Sequence, residues 1–297
     1  MVDTQETITS PRSIRRGKPR IGESIAVALT AVATLCIVAP VTAIVWILIA
    51  RGGRALTWEF LTAMPRDHMT AGGIFPAIMG TVYLVAGTVI IALPVGILSA
   101  IYLSEYAKQG PLTRIIRLAI VNLAGVPSIV YGLFGYGVFV LLLKFQVSIL
   151  SGACTLALLT LPLIITATEE SLRTVPASFR EASVGLGATR FQTVWRIVLP
   201  GALPGILTGA ILGVGRAAGE TAPILFTAAV FYQKGLPHSL SSPIMALPYH
   251  LYIIATQVPD APQSIQWGTA LVLLLLVLFT NLGAIIIRSR LRAKRNW

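Results

Sequence analysis

Long uncharged apolar runs alternate with short basic segments along this chain. Residues 24–50, 76–104, 118–143, 145–168 and 261–287 each contain no charged side chain. A helix crosses a hydrocarbon core of about 30 Å with roughly 20 apolar residues, so each run is long enough to span a membrane. A sixth run, Ile197 to Phe231, is interrupted only by Arg216 and Glu220. The pattern predicts six transmembrane helices. Strands of a spanning barrel alternate over about ten residues, whereas these runs are continuous, so the expected class is all-α integral membrane. Lys144 alone separates the third and fourth spans, which requires a tight turn around Phe145 to Ser148. Pro127 in the third span removes a backbone hydrogen bond and predicts a local kink, with Ser128 and Tyr131 beside it facing either a pathway or the core. Between the last two spans, Tyr232 to Gln266, a short apolar piece at Pro243 to Thr256 is too short to cross. It reads equally as a re-entrant helix at the outer mouth or as a packed lid.

The connection Glu169 to Pro200 carries helix signals of its own. Ser178 with Glu181, and Thr189 with Gln192, both have capping-box spacing, and Gly187 between them stops the first helix. Two short helices joined by a tight turn are expected, the second presenting Phe191, Val194, Trp195 and Val198 on one stripe.

Composition agrees with the spans: 55% of residues are hydrophobic and 11% are charged, against about 25% charged in a soluble domain. The net charge of +12 gains meaning from position, not from a polyanionic partner, and no nucleic acid is implied. Placing the N-terminus inside puts five basic residues in the first tail, three between 108 and 117, four between 173 and 196 and five after 287 on one side, against five on the other. That bias places both termini in the cytoplasm. Cys36 and Cys154 lie inside apolar runs and read as packing residues, and His68, His238 and His250 lack ligand spacing, so neither a metal site nor a catalytic site is expected.

The string Glu181-Ala182-Ser183, with Gly187 six residues after Glu181 and Ile197-Val198-Leu199-Pro200 beyond, resembles the signature loop of ABC importer permeases. Ser183 replaces a second alanine of that pattern. The resemblance implies that the loop docks on a separate ATPase subunit, with coupling roles for Glu181, Ala182, Ser183, Gly187, Ile197, Leu199 and Pro200. No phosphate-cradling Gly-x-x-x-x-Gly-Lys-Ser/Thr string occurs, so no cofactor is expected in this chain and ATP is expected on partner ATPase subunits.

Arg216 and Glu220 stand one helical turn apart in the fifth span. An arginine at mid-membrane costs about 2.5 to 3.5 kcal/mol on translocon scales, and its planar, permanently charged fork suits oxyanions. Arg216 is therefore the candidate for an anion pathway, with Glu220 and Thr221; a purely structural ion pair is the alternative. Gly201, Gly205, Gly209 and Gly213 recur every fourth residue on the same helix and predict a close packing seam. The strings 122–135 and Gly215 to Pro223 resemble the phosphate-specific permeases of this family, of the PstA type rather than the PstC type. The resemblance covers about residues 74–288, leaving 1–22 and 289–297 as basic tails and 23–73 as a first span with its outer loop. It implies a type I ABC importer permease fold in the cytoplasmic membrane of a prokaryote and import of inorganic phosphate. The implied partners are a second permease subunit of PstC type, two ATPase subunits, an extracytoplasmic phosphate-binding protein and membrane lipid. Permeases for molybdate or sulfate, and a secondary anion transporter, remain the competing readings; the last would need no docking loop.

Overall fold

In the computed structural model the apolar runs fold as helices almost throughout; it describes residues 21–293 apart from Lys234 and Asp260. The chain forms two units, Met1–Ile47 and Leu48–Trp297. The first holds most of helix α1, Ile21–Gly52, apolar and long enough to cross a membrane. The N-terminal tail lies outside the described residues.

The second unit begins with α2, Trp58–Thr62, and a two-stranded antiparallel ribbon, β1 Pro65–Arg66 with β2 Ala71–Gly72. Helix α3, Phe75–Ile101, follows and ends in a π turn, Tyr102–Tyr106, closed by the Ala107 N–H donating to the Tyr102 carbonyl at 2.8 Å. Helix α4, Pro111–Ala124, and helix α5, Ser128–Gly135, which continues as a π segment over Tyr136–Leu142, come next. Helix α6, Ile149–Arg173, leads to the connection, formed by α7, Ala177–Gly185, and α8, Arg190–Thr193. A π turn, Val194–Val198, carries the chain into α9, Leu199–Gly219. Short helix α10, Ala222–Thr227, then α11, Leu247–Thr256, and the long α12, Gln263–Ala293, complete the described residues.

Within this unit α6 is the central post, because small residues let its neighbours approach closely. A methyl at Gly87 of α3 would lie 2.9 Å from Ala153 Cβ, and one at Gly209 of α9 would lie 2.5 Å from Ala167 Cβ. Gly205 meets Ser171 and Gly213 meets Ile164 on the same seam, as the four-residue glycine repeat predicts.

Three expectations are corrected. The third span is not one helix over 118–143: α4 starts at Pro111, and Pro111–Ala124 meets Ser128–Leu142 at 105°. Pro127 cannot donate, and a proline disfavours helical backbone in the residue before it, so Gly125 to Pro127 form a corner rather than a kink. Tyr131 buttresses that corner, donating its hydroxyl to the Leu123 carbonyl at 2.9 Å, and is 7% exposed, which makes it a packing residue. Second, the fifth span does not run unbroken to Phe231. It stops at Gly219, with Glu220 extended (φ −76°, ψ 131°), because Pro223 two residues past Thr221 has no N–H to continue the ladder. Third, Ser178 and Glu181 form no capping box: α7 starts at Ala177 with Pro176 at the cap, so Ser178 already lies inside the helix. The second box is present, Gln192 N–H donating to Thr189 Oγ1 at 3.3 Å and Thr189 N–H to Gln192 Oε1 at 2.9 Å.

The turn at Lys144 is as tight as expected, with Lys144 (φ 56°) and Gln146 (φ 59°) both left-handed and Ser148 capping α6. The short apolar piece after the fifth span becomes α11, packed in a core with Phe60, Met69, Ile74 and Ala77, which is the packed alternative of the two.

Candidate functional site: a helical connection and an intramembrane ion pair

The connection between α6 and α9 is a helix, a left-handed glycine and a second helix. Gly187 has φ +82°, and the Ala188 N–H reaches back to the Ser183 carbonyl at 3.1 Å. That geometry favours glycine because a Cβ would strain the backbone. Space is not the reason, since nothing lies within 4 Å of where a Cβ would stand. Ser183 does more than fill the place of an alanine. Its buried hydroxyl hydrogen-bonds Thr193 Oγ1 at 2.9 Å and so ties α7 to α8. Glu181, Ala182 and Gly187 are exposed, while Ile197, Leu199 and Pro200 are half-buried where the chain enters α9. The predicted apolar stripe divides in two: Val194 and Val198 are buried, whereas Phe191 and Trp195 stay exposed with ring centroids 5.7 Å apart. Leu186 (90% exposed) and Val184 extend this apolar face. Beside it, Ser183, Leu186, Gly187, Ala188, Gln192, Arg196 and Ile197 line an open cleft of about 370 Å³.

Four charged residues that the sequence reading passed over hold the connection in place. Arg180 of α7 clasps the Glu105 carboxylate with two bonds, Nη2 at 2.8 Å and Nε at 3.3 Å. It also donates to the carbonyls of Val175 and Leu172 at the end of α6. Arg117 of α4 donates to Glu169 Oε1 at 3.0 Å and to the Leu103 carbonyl at 2.9 Å. Glu105 and Arg180 are 75 residues apart in the chain, beyond any local spacing rule, so no motif could have paired them.

At the far end of α9, Arg216 and Glu220 do come together, Nε to Oε1 at 3.3 Å. They no longer share a helix, because Glu220 is the first residue beyond it. Among the described residues Nε is the only Arg216 nitrogen with a hydrogen-bond partner, which leaves both terminal amines of the fork open; the side chain is 37% exposed and that of Glu220 17%. Thr221 is half-buried in the same break. The break has a wall on one side: Gly132 of α5 fits against the Ala222 carbonyl and Pro223. Asn281 of α12 lies against Gly215, its buried Oδ1 without a hydrogen-bond partner. A lone asparagine in a long apolar run is the signal that could have found it. One fixed cation with free donors, one adjacent carboxylate and a helix break together make a place where an oxyanion can compete with a carboxylate for a guanidinium. No group of three or more metal-binding side chains occurs among the described residues.

The fold matches that of ABC importer permeases. A bacterial ABC transporter chain involved in the import of the acidic polysaccharide alginate superposes with a TM-score of 0.62 at 16% identity, over 90% of this chain and 95% of that one. In sequence, the phosphate transport system permease protein PstA 1 of Mycobacterium tuberculosis (strain CDC 1551 / Oshkosh) is 36% identical over 287 residues, 94% of this chain and 91% of the relative. The phosphate transport system permease protein PstA of Mycobacterium leprae (strain TN) is 36% identical over 280 residues, 93% and 90% of the two chains. The family model for binding-protein-dependent transport system inner membrane components matches residues 92–293. A match of that extent, with relatives over a third identical along nearly the whole chain, establishes that this chain belongs to the family of binding-protein-dependent transport system inner membrane components.

Proposed function

We propose that this chain is a permease subunit that imports inorganic phosphate across the inner membrane, powered by ATP hydrolysis in a separate subunit. The observation that carries the anion route is the open fork of Arg216 beside Glu220 at the break after α9. Arginine binds phosphate through paired N–H donors, and the two terminal amines are the donors left over. Glu220 holds the charge of Arg216 while the route is empty and returns to it as the anion leaves, which keeps binding weak enough for release. Thr221 completes the lining with a hydroxyl. The names of the relatives support phosphate as the cargo.

The exposed apolar face of Phe191, Trp195, Leu186 and Val184, next to Glu181 and the glycine turn, is the surface on which an ATPase subunit docks. Exposed aromatics on a rigid helical pair suit an interface. The basic bias supports a cytoplasmic side for this loop and both termini. A complete transporter would then pair this chain with a second permease subunit of PstC type, two ATPase subunits that bind the ATP, and an extracytoplasmic phosphate-binding protein. Alternating access follows when the ATPase pair closes and opens beneath the loop.

The test is uptake of labelled phosphate in cells lacking other phosphate systems, with partner subunits present, comparing the parent with Arg216→Gln at matched membrane abundance. The expected result is loss of uptake with the ATPase subunit still bound. Unchanged uptake would reduce Arg216 to a structural ion pair.

A further inference from the structure

The connection that docks the ATPase is fastened to the π turn at the end of α3 as well as to the end of α6, and α3 in turn holds the Met245–Leu247 segment before α11 at its opposite end. We infer that α3 is the rod that carries the stroke of α7 and α8 across the membrane, with Glu105 and Arg180 as the positioning residues that fasten it; this rests on the docking reading above.

Three contacts fasten the near end. The two-bonded clasp of Arg180 on Glu105 is shielded, the carboxylate side chain being 10% exposed and the guanidinium 26%. Such a fork fixes orientation as well as distance. Arg190 of α8 lies over the Tyr106 ring, 5.4 Å from its centroid, so both short helices grip neighbouring residues of the same turn. Behind the charges, Leu103 packs in a buried cluster with Leu172, Val175, Val194 and Val198. The connection therefore cannot rotate without either moving the end of α3 or breaking a shielded ion pair, a ring contact and an apolar core together.

The far end is held as firmly. The Leu247 N–H, buried, donates to Thr81 Oγ1 at 2.8 Å, 166 residues away in sequence. Gly80 admits the Met245 carbonyl so closely that no side chain would fit there. Ala77 and Ile74 share a buried cluster with Met245, Leu247, Ile253 and Ile254. Thr81 and Glu105 stand 24 positions apart in the sequence, about 36 Å of helix at 1.5 Å per residue. Along that length α3 packs closely on α6, Gly87 against Ala153 and Gly96 against the Ile164 side chain.

The deciding measurement is phosphate taken up per ATP hydrolysed, in proteoliposomes holding the whole transporter with its binding protein. Glu105→Gln keeps the shape of the side chain and removes the charge the fork needs. It is expected to retain the ATPase subunit on purification while uptake per ATP falls about tenfold, within the range by which linking residues modulate distant sites. Glu105→Asp is expected to recover part of the ratio. Thr81→Val, buried at the other end and remote from α7 and α8, is expected to lower the same ratio with assembly intact. An unchanged ratio in both Glu105→Gln and Thr81→Val would overturn the inference while leaving the docking reading in place. So would loss of the ATPase subunit from Glu105→Gln, since the pair would then be a staple of the docking surface. Failure of the parent chain to retain any ATPase subunit would instead overturn the docking reading itself.

Discussion

Replacing Gly209 by alanine tests whether the α6–α9 seam sets the position of Arg216. The added Cβ would lie 2.5 Å from Ala167 Cβ, whereas apolar carbons rest at about 3.5 to 4.0 Å. Neither atom can swing away, because both are fixed to helical backbone, so the helices must part locally by about 1 to 1.5 Å. Overpacking of this kind costs about 1 to 3 kcal/mol, and the better helix propensity of alanine returns at most about 1 kcal/mol. A net loss of about 1 kcal/mol, the middle of the first range less the propensity gain, is expected in denaturant unfolding of the purified protein in detergent. The double variant Gly209→Ala with Ala167→Gly removes the clashing partner, and should show a coupling energy of at least about 1 kcal/mol, as contacting residues do. If Gly209→Ala proves as stable as the parent, or if the two changes simply add, the close approach does not hold these helices and the seam has no claim on the site above it.

Two further outcomes follow from the same fold. Gly187, at φ +82° with open space around it, is expected to rank Gly, then Asn, then Ala in retention of the ATPase subunit on co-purification, since a left-handed residue costs alanine about 1 to 2 kcal/mol and asparagine less; equal retention by Ala and Gly would contradict the strain argument. His250 of α11, a helix too short to be one of the spans, is 3% exposed and burial lowers its pKa to about 4, so it folds neutral. The unfolded imidazole takes up a proton near its ordinary value of about 6.5. Its contribution is therefore whole above that value and declines as pH falls towards 4, by about 2 kcal/mol at pH 5. Unfolding at pH 7.5 and pH 5 should show this loss in the parent and not in His250→Phe; an equal slope in both would place the acid sensitivity elsewhere.

Much of the architecture is legible in the sequence because length without charge is a demanding requirement that few soluble helices meet. Five of the runs became helices that pass as spans, and the loop between α6 and α9 carries its turn at the glycine that spacing picked out. Local chemistry misled where two start signals competed. Pro176 begins α7 before Ser178 can cap it, while Thr189, with no proline ahead of it, forms its box. The corner at Gly125 to Pro127 was foreseeable as a disturbance but not as a turn of 105°, because the angle is set by α5 packing against α10 through Gly132, a contact across 90 residues. Long range also hid Glu105 and Arg180. Each reads alone as a surface charge beside the membrane, and only the folded chain shows that one answers the other.

The pairing of Arg216 with Glu220 has an electrical consequence. A charge carried through the whole membrane potential exchanges about 2.3 kcal/mol for each 100 mV. An arginine moving by itself between inward and outward states would place that field in series with every cycle. On the proposed route, with Arg216 held 3.3 Å from a carboxylate, the two charges cancel as seen by the field, and the unloaded transporter is expected to reset without displacing current. Voltage dependence of this step is then expected to come from the charge on the anion proposed to take the carboxylate's place.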